Sequence, residues 1–268
     1  MEMPRLGQGT WNMGDDRARR AEEIAALRTG IELGMTLIDA AEMYGDGRSE
    51  ALVGEALASL REKVFLVTKV LPSNASRKGV TRSCEASLKR LQTDRVDLYL
   101  LHWSSSYPLE ETVRGFQDLL AAGKIRAWGV SNLDLGEMKQ LVALPGGQAC
   151  ATNQLLYNLS RRGIEFDLLP WSLENGIPVM AYSPVEQGRL LGHKGLKQVA
   201  QKLGATPAQV ALAWTLRQDG VVAIPKAGSI AHVRENRAAL DLRLSVQDLA
   251  ALDREFPPPR GPQPLEML

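Results

Sequence analysis

The residues that could do chemistry in this chain sit where short apolar runs stop. LID ends in Asp39, VTK in Lys69 and YLLH in His102, and Tyr44 follows Asp39 by five residues in DAAEMYGDG. Gathered in one pocket, an aspartate, a lysine, a histidine and a tyrosine make a proton-donating group. The lysine ammonium favours phenolate, lowering the tyrosine pKa from about 10 so that its hydroxyl yields a proton near neutral pH. Asp39 would hold Lys69 charged and oriented, and His102 would donate to a substrate oxygen beside Tyr44. Such a set suits carbonyl reduction, in which negative charge grows on oxygen as hydride reaches carbon. Side chains supply no hydride, so the reaction requires a nicotinamide cofactor.

Other runs end in residues suited to hold one. Ser131, Asn132 and Gln154 offer hydroxyl and amide partners for a carboxamide, and Tyr182, followed by Ser183, offers a flat face for stacking. In Ile224-Pro225-Lys226-Ala227-Gly228-Ser229 a lysine precedes a helix start, where free backbone N–H groups and the helix dipole favour phosphate. Each residue also has an ordinary structural account. A strand-end Asp or Ser caps a helix, a lysine reaches solvent, a lone histidine packs in a core, and Ser229 is an N-cap. Convergence of them all at one end of one fold favours the chemical account.

That convergence depends on the elements. Apolar, β-branched runs at 6–9, 36–39, 64–69, 96–102, 127–130, 149–154, 178–182 and 221–225 read as eight strands. Amphipathic stretches at 20–33, 49–60, 78–91, 109–122, 135–142, 167–175, 207–217 and 230–240 read as helices between them, the first stopped by Gly34. Residues 245–255 give one extra helix, and FPPPRGPQPLEML reads as a short extended tail. Eight strand–helix units without a linker predict a single-domain (β/α)8 TIM barrel over 1–268, with chemistry at the C-terminal strand ends. An open doubly wound sheet is the rival, but Gly7-Gln8-Gly9-Thr10-Trp11-Asn12 lacks the third glycine of the dinucleotide fingerprint.

Composition narrows the partners. The 268 residues include 32 basic and 31 acidic ones, for a net charge of +1, so no global field draws the protein to nucleic acid or an anionic membrane. Cys84 and Cys150 form no disulfide framework or zinc spacing and read as buried small hydrophobes in a reducing compartment. No apolar targeting segment opens the chain, and charges interrupt every later apolar run, so the expected location is the cytoplasm.

With these residues in place, the sequence resembles the aldo-keto reductases over essentially its whole length. GQGTW, LIDAAEMYG, VTK, LHW, WGVSN, NQ, AYSP and IPKxxxxxHVREN occur in that superfamily's order and near its spacing. The resemblance implies that Asp39, Tyr44, Lys69 and His102 are the catalytic tetrad, with Tyr44 as general acid. It implies nicotinamide-amide contacts from Ser131, Asn132 and Gln154, stacking on Tyr182, a cofactor phosphate near Lys226, Gly228, Ser229 and His232, and adenine contacts from Glu235 and Asn236. More narrowly, the chain is similar to a bacterial branch that contains methylglyoxal reductases, which implies NADPH-dependent reduction of small aldehydes and 2-oxoaldehydes by a monomer.

Several positions depart from the pattern. Ala40 stands where the family commonly has Thr. After Lys226, where NADP-selective members often carry Ser, Thr and then an arginine six residues on, this chain has Ala227, Gly228 and His232. Loss of that permanent cation weakens NADP discrimination and leaves NAD(H) as a second cofactor, with Ser229, Arg234 or His232 as compensating groups. Most of the hairpin that covers the family's barrel floor is missing, which bears on stability. Trp11, Met43 and Trp103 are expected at the pocket mouth, and the short loop 103–108 and short tail predict an open pocket for small carbonyls. Two other classes compete: a non-catalytic nucleotide-binding regulatory subunit on the same barrel, and a metal-dependent hydrolase or isomerase using Asp39 and His102. Three histidines are few for the latter, and no metal site is expected.

Overall fold

The computed structural model describes residues 3–268. Its strands are β1 (Gly7–Gly9), β2 (Leu37–Asp39), β3 (Phe65–Val70), β4 (Val96–Leu101), β5 (Ile125–Ser131), β6 (Cys150–Leu156), β7 (Val179–Tyr182) and β8 (Val221–Ala223), paired in that order and all parallel. Bridges from Leu6 to Ala223 and from Gly9 to Lys226 join the last strand to the first, with the Gly9 N–H donating to the Pro225 carbonyl at 3.1 Å. The sheet is thereby closed into the expected (β/α)8 barrel.

Strand alternation explains why its upper end is polar. Leu37, Val67, Leu100, Met180 and Ile224 belong to one buried interior cluster, and two residues further along each run stand Asp39, Lys69, His102, Tyr182 and Lys226. A period of two keeps both members of each pair on the inward face, so the layer above the apolar one is built of functional groups. At the opposite end Met3, Phe65, Ala127 and Ala151 pack against the interior cluster.

The helices are α1 (Arg20–Glu32), α2 (Arg48–Leu57), α3 (Arg77–Leu91), α4 (Leu109–Ala121), α5 (Leu135–Ala143), α6 (Leu168–Glu174), α7 (Lys194–Lys202), α8 (Pro207–Thr215), α9 (Ile230–Ala238) and α10 (Val246–Glu255). Their starts follow sequence cues: Asp134 and Glu137 form a capping box on α5, as do Thr206 and Gln209 on α8. Helix α7 was not expected. Its buried apolar face is only Leu196, Val199 and Ala200, set among lysines and between glycines, and packing against α8 and α10 stabilises it. Strand β5 begins two residues earlier than expected and β6 ends two later, with a register shift between Trp128 and Val130. The chain after α10 is irregular, as expected, but it does not trail away. Leu265 packs on the core, and Glu266 pairs with Arg161.

Gln8 ties β1 to α1 and to the segment before β2: its buried side chain donates to the carbonyls of Leu27 at 3.1 Å and Met35 at 3.0 Å. A β-carbon at Gly30, within α1, would lie 2.1 Å from the Gln8 amide oxygen. Glycine inside a helix ordinarily costs about 1 kcal/mol relative to alanine. Here Gly30→Ala is expected to destabilise the protein by about 2 kcal/mol in urea unfolding, because the added methyl overlaps the clamp. Combining it with Gln8→Ala should cost less than the two single changes added together; strict additivity would rule out the clash.

Candidate active site

Lys69 is the centre of the upper layer. Its side chain is 0% exposed, and its ammonium donates to Asp39 Oδ2 at 2.8 Å, to the Ala40 carbonyl at 2.8 Å and to the Tyr44 hydroxyl at 3.3 Å. Three protons thus meet three acceptors. Burial pushes the lysine pKa down, yet the charge of Asp39 and its hydrogen bonds outweigh this and hold the ammonium above its ordinary value. Ala40, whose carbonyl accepts from Lys69, is fully buried.

The Tyr44 phenol corrects one expectation. Its pKa lies above the ordinary value, not below: burial raises it most, Lys69 lowers it, and Asp39 opposes Lys69. The hydroxyl is therefore a fully loaded donor, with a cation positioned to stabilise the phenolate after the proton leaves. Tyr44 stands edge-on to His102, with ring centroids 5.9 Å apart. Desolvation, reinforced by the Lys69 charge, pushes the His102 pKa down to about 2, so the ring is neutral and carries one N–H. Its Nδ1 is buried with no hydrogen-bond partner among the described residues.

Behind this group runs a hydrogen-bonded chain. Gln154 Nε2 donates to Asp39 Oδ1 at 2.9 Å, the Ser131 hydroxyl donates to the Gln154 carbonyl at 2.9 Å, and Asn132 Nδ2 reaches the His102 carbonyl at 3.2 Å. The Tyr182 hydroxyl donates to Asn132 Oδ1 at 3.0 Å. Asn132 and Ser183 adopt φ values of 57° and 48°, a strained conformation of the kind that clusters where loops meet ligands. One of the two N–H groups of the Gln154 amide is engaged by Asp39, and Gln154 also lines the cleft. The Asn153 amide donates instead to the Leu133 carbonyl, outside the cleft.

A single cleft of about 700 Å³ joins Asp39, Tyr44 and His102 to the first turns of α9. Trp11, Met43 and Trp103 line it, as expected, and it runs past Tyr182 and Lys226 to His232, Glu235 and Asn236. At that end the Ser229 hydroxyl caps α9 by accepting the His232 N–H, so both accounts of Ser229 remain compatible. A β-carbon at Gly228 would lie 3.1 Å from the Lys226 ammonium. The missing side chain leaves a cradle over a cation at a helix start, which fits a phosphate. An extended cleft with a phosphate cradle at one end and the polar side chains of Asn132 and Gln154 at the other fits a nicotinamide dinucleotide.

Two parts of the cleft were not foreseen. Met267 and Leu268 of the tail are among its lining residues. The loop after β7 contributes Gln187, Gly188 and Leu191. Runs rich in proline and glycine carried no signal of where they return to the barrel. Cys84 and Cys150 are buried and free, with thiol pKa values pushed up to about 12 by burial. No helix among the described residues is long and apolar enough to cross a membrane.

The chain is similar to known proteins along its length. It is 55% identical to the methylglyoxal reductase YeaE of Escherichia coli over 273 residues, which cover 100% of this chain and 96% of that one. It is 33% identical to the methylglyoxal reductase DkgB of Salmonella typhimurium, over 94% of each chain. Its structure matches an aldo/keto reductase of Klebsiella pneumoniae, crystallised in complex with NADP and acetate, with a TM-score of 0.98 and 52% identity over 99% of this chain and 96% of that one. The model of the aldo/keto reductase family matches residues 5–255. The chain belongs to the aldo/keto reductase family.

Proposed function

We propose that this protein reduces small aldehydes, ketones and 2-oxoaldehydes of the methylglyoxal type to alcohols, with NADPH as its preferred cofactor and NADH as a weaker one. The observation that carries the reading is the buried Lys69 ammonium, which shares its three protons among Asp39, Ala40 and Tyr44 at the end of a dinucleotide-sized cleft. The similarity to YeaE and to the NADP-bound Klebsiella enzyme supports the same reading.

In this mechanism the bound cofactor supplies hydride, and the chain's residues bind, orient and move one proton. Tyr182 would offer its ring face, while Ser131, Asn132 and Gln154 would hold the carboxamide. Ser183, Lys226, Gly228, Ser229 and His232 would hold the phosphates, and Glu235 and Asn236 would hold the adenine. The substrate enters between Trp11, Met43 and Trp103, with Met267 and Leu268 also among the lining residues, a mostly apolar mouth that favours small carbonyls. Neutral His102 donates its N–H to the carbonyl oxygen and aims it at Tyr44, which delivers its proton as charge builds there. The Lys69 ammonium then faces the phenolate, lowering the cost of the charge left behind. Two free buried thiols suit action in a reducing compartment, the cytoplasm.

Tyr44→Phe is expected to lower kcat for methylglyoxal by about 10²–10⁴-fold, the range for loss of a positioned general acid. Its NADPH Kd, read by fluorescence titration, should change little; near-normal turnover would remove Tyr44 from the acid role. Lys226→Ala should raise the KM for NADPH more than that for NADH, and an equal rise in both would exclude recognition of the 2′-phosphate. His102 adds a stability signature. Its pKa is about 2 folded against the ordinary 6.5, so the unfolded chain binds the extra proton first and stability falls as pH drops below 6.5. Between pH 6.5 and 5 this group accounts for about 2 kcal/mol. In urea unfolding, His102→Gln should lack that part of the decline, and an unchanged pH slope would mean His102 is not held neutral by burial.

A further inference from the structure

We infer that Arg19, on the turn before α1, supplies the second cation for the 2′-phosphate of NADP that the sequence lacks at His232. The inference rests on the cofactor reading above and adds to it the residue that decides between NADP and NAD.

Closure of the barrel brings Arg19 to this place. Because β8 joins β1, α1 and α9 pack side by side, and the turn Arg17–Arg19 ahead of α1 lies next to the start of α9. Asp16 anchors that turn by accepting the Ala18 N–H at 2.9 Å. A β-carbon at Gly228 would lie 2.8 Å from Arg19 Nη2 and 3.1 Å from Lys226 Nζ, so the two cations converge over one glycine. Glu23 Oε1 would lie 3.7 Å from the same point, while its other oxygen accepts the Gly14 N–H at 2.9 Å.

The Arg19 guanidinium is largely uncommitted. Its ion pair among the described residues is a 3.8 Å contact with Glu22, and both side chains are about half exposed, at 47% and 52%. A pair so long and so wet holds the guanidinium weakly. Lys226 feels the neighbouring charge: desolvation lowers its pKa, Arg19 lowers it further, and Glu23 and Glu22 oppose them. Two cations facing one another across a gap without a side chain repel until an anion stands between them. A phosphate dianion accepts from the planar fork of arginine and from the lysine together, and the backbone N–H groups at the start of α9 add to the pull. A bare ribose hydroxyl brings no charge and gains little from either cation. Arg19 therefore favours NADP over NAD from an element far from Lys226 in the sequence.

The test compares binding of 2′,5′-ADP with 5′-AMP by calorimetry, and of NADPH with NADH by fluorescence, for the wild type, Arg19→Ala and Arg19→Lys. Arg19→Ala should weaken the two ligands that carry a 2′-phosphate by about tenfold, the scale of one charge-assisted contact, and leave the other two within about twofold. Arg19→Lys should recover part of the loss, and so should Arg19→Ala combined with His232→Arg, which returns a cation from α9. Equal weakening of all four ligands, or no weakening of 2′,5′-ADP, would overturn the inference. So would a wild-type protein that binds 2′,5′-ADP no more tightly than 5′-AMP. These readouts need no turnover, so a protein that shows the Arg19 effect yet reduces no carbonyl would count against the proposed reaction alone.

Discussion

A lysine ammonium with no exposure to water is the constraint around which the upper end of this barrel is built. An unpaired charge in that position would cost several kcal/mol, and removing one partner of a buried pair typically costs about 3–5 kcal/mol. Lys69 therefore requires a carboxylate and further acceptors at fixed distances, and Asp39, the Ala40 carbonyl and Tyr44 provide them. The requirement also fixes the site. Satisfying the ammonium draws the tyrosine hydroxyl to the mouth of the barrel, and the same charge helps keep His102 neutral.

That arrangement is possible because a parallel barrel stacks its interior in layers. Strand alternation sends Asp39, Lys69, His102, Tyr182 and Lys226 inward above an apolar floor, so residues far apart in sequence share one level. The layer is not held by packing alone. Gln154 tethers Asp39, Ser131 tethers Gln154, and Asn132 ties His102 to Tyr182. Donors that would otherwise rotate are thus fixed before any ligand arrives, which is how a site stabilises developing charge without rearranging. The positive φ at Asn132 and Ser183 is the local strain that accompanies turning two strands directly into this layer.

The tail and the loop after β7 finish the cleft. Arg161 pairs with Glu266 of the tail and with Glu186 of the loop, joining the two segments that border the mouth. Glu186 is buried, and hydrogen bonds from Arg161, Arg189 and Asn158 hold its carboxyl below the usual range against the effect of desolvation. The walls around the substrate end are therefore set by ion pairs as well as by the apolar residues that face inward.

Much of this was legible in the sequence, for physical reasons. Strand and helix periods, glycine stops and capping residues are local, and they were enough to mark eight strand–helix units and the polar residues that end the strands. A parallel barrel then dictates that those residues meet, since its geometry leaves them no other end of the fold. What the sequence could not contain is the balance of forces after they meet. The Tyr44 pKa was expected to fall, because a nearby cation is visible in sequence and the depth of burial is not. Helix α7 was missed because its small apolar face is stabilised by α8 and α10 rather than by its own residues. The return of Met267 and Leu268 to the cleft, the tether from Gln154 to Asp39 and the meeting of Arg19 with Lys226 over Gly228 all join residues from distant parts of the chain. Local composition determines which chemistry is available; only closure of the barrel decides which charges face one another and how much water lies between them.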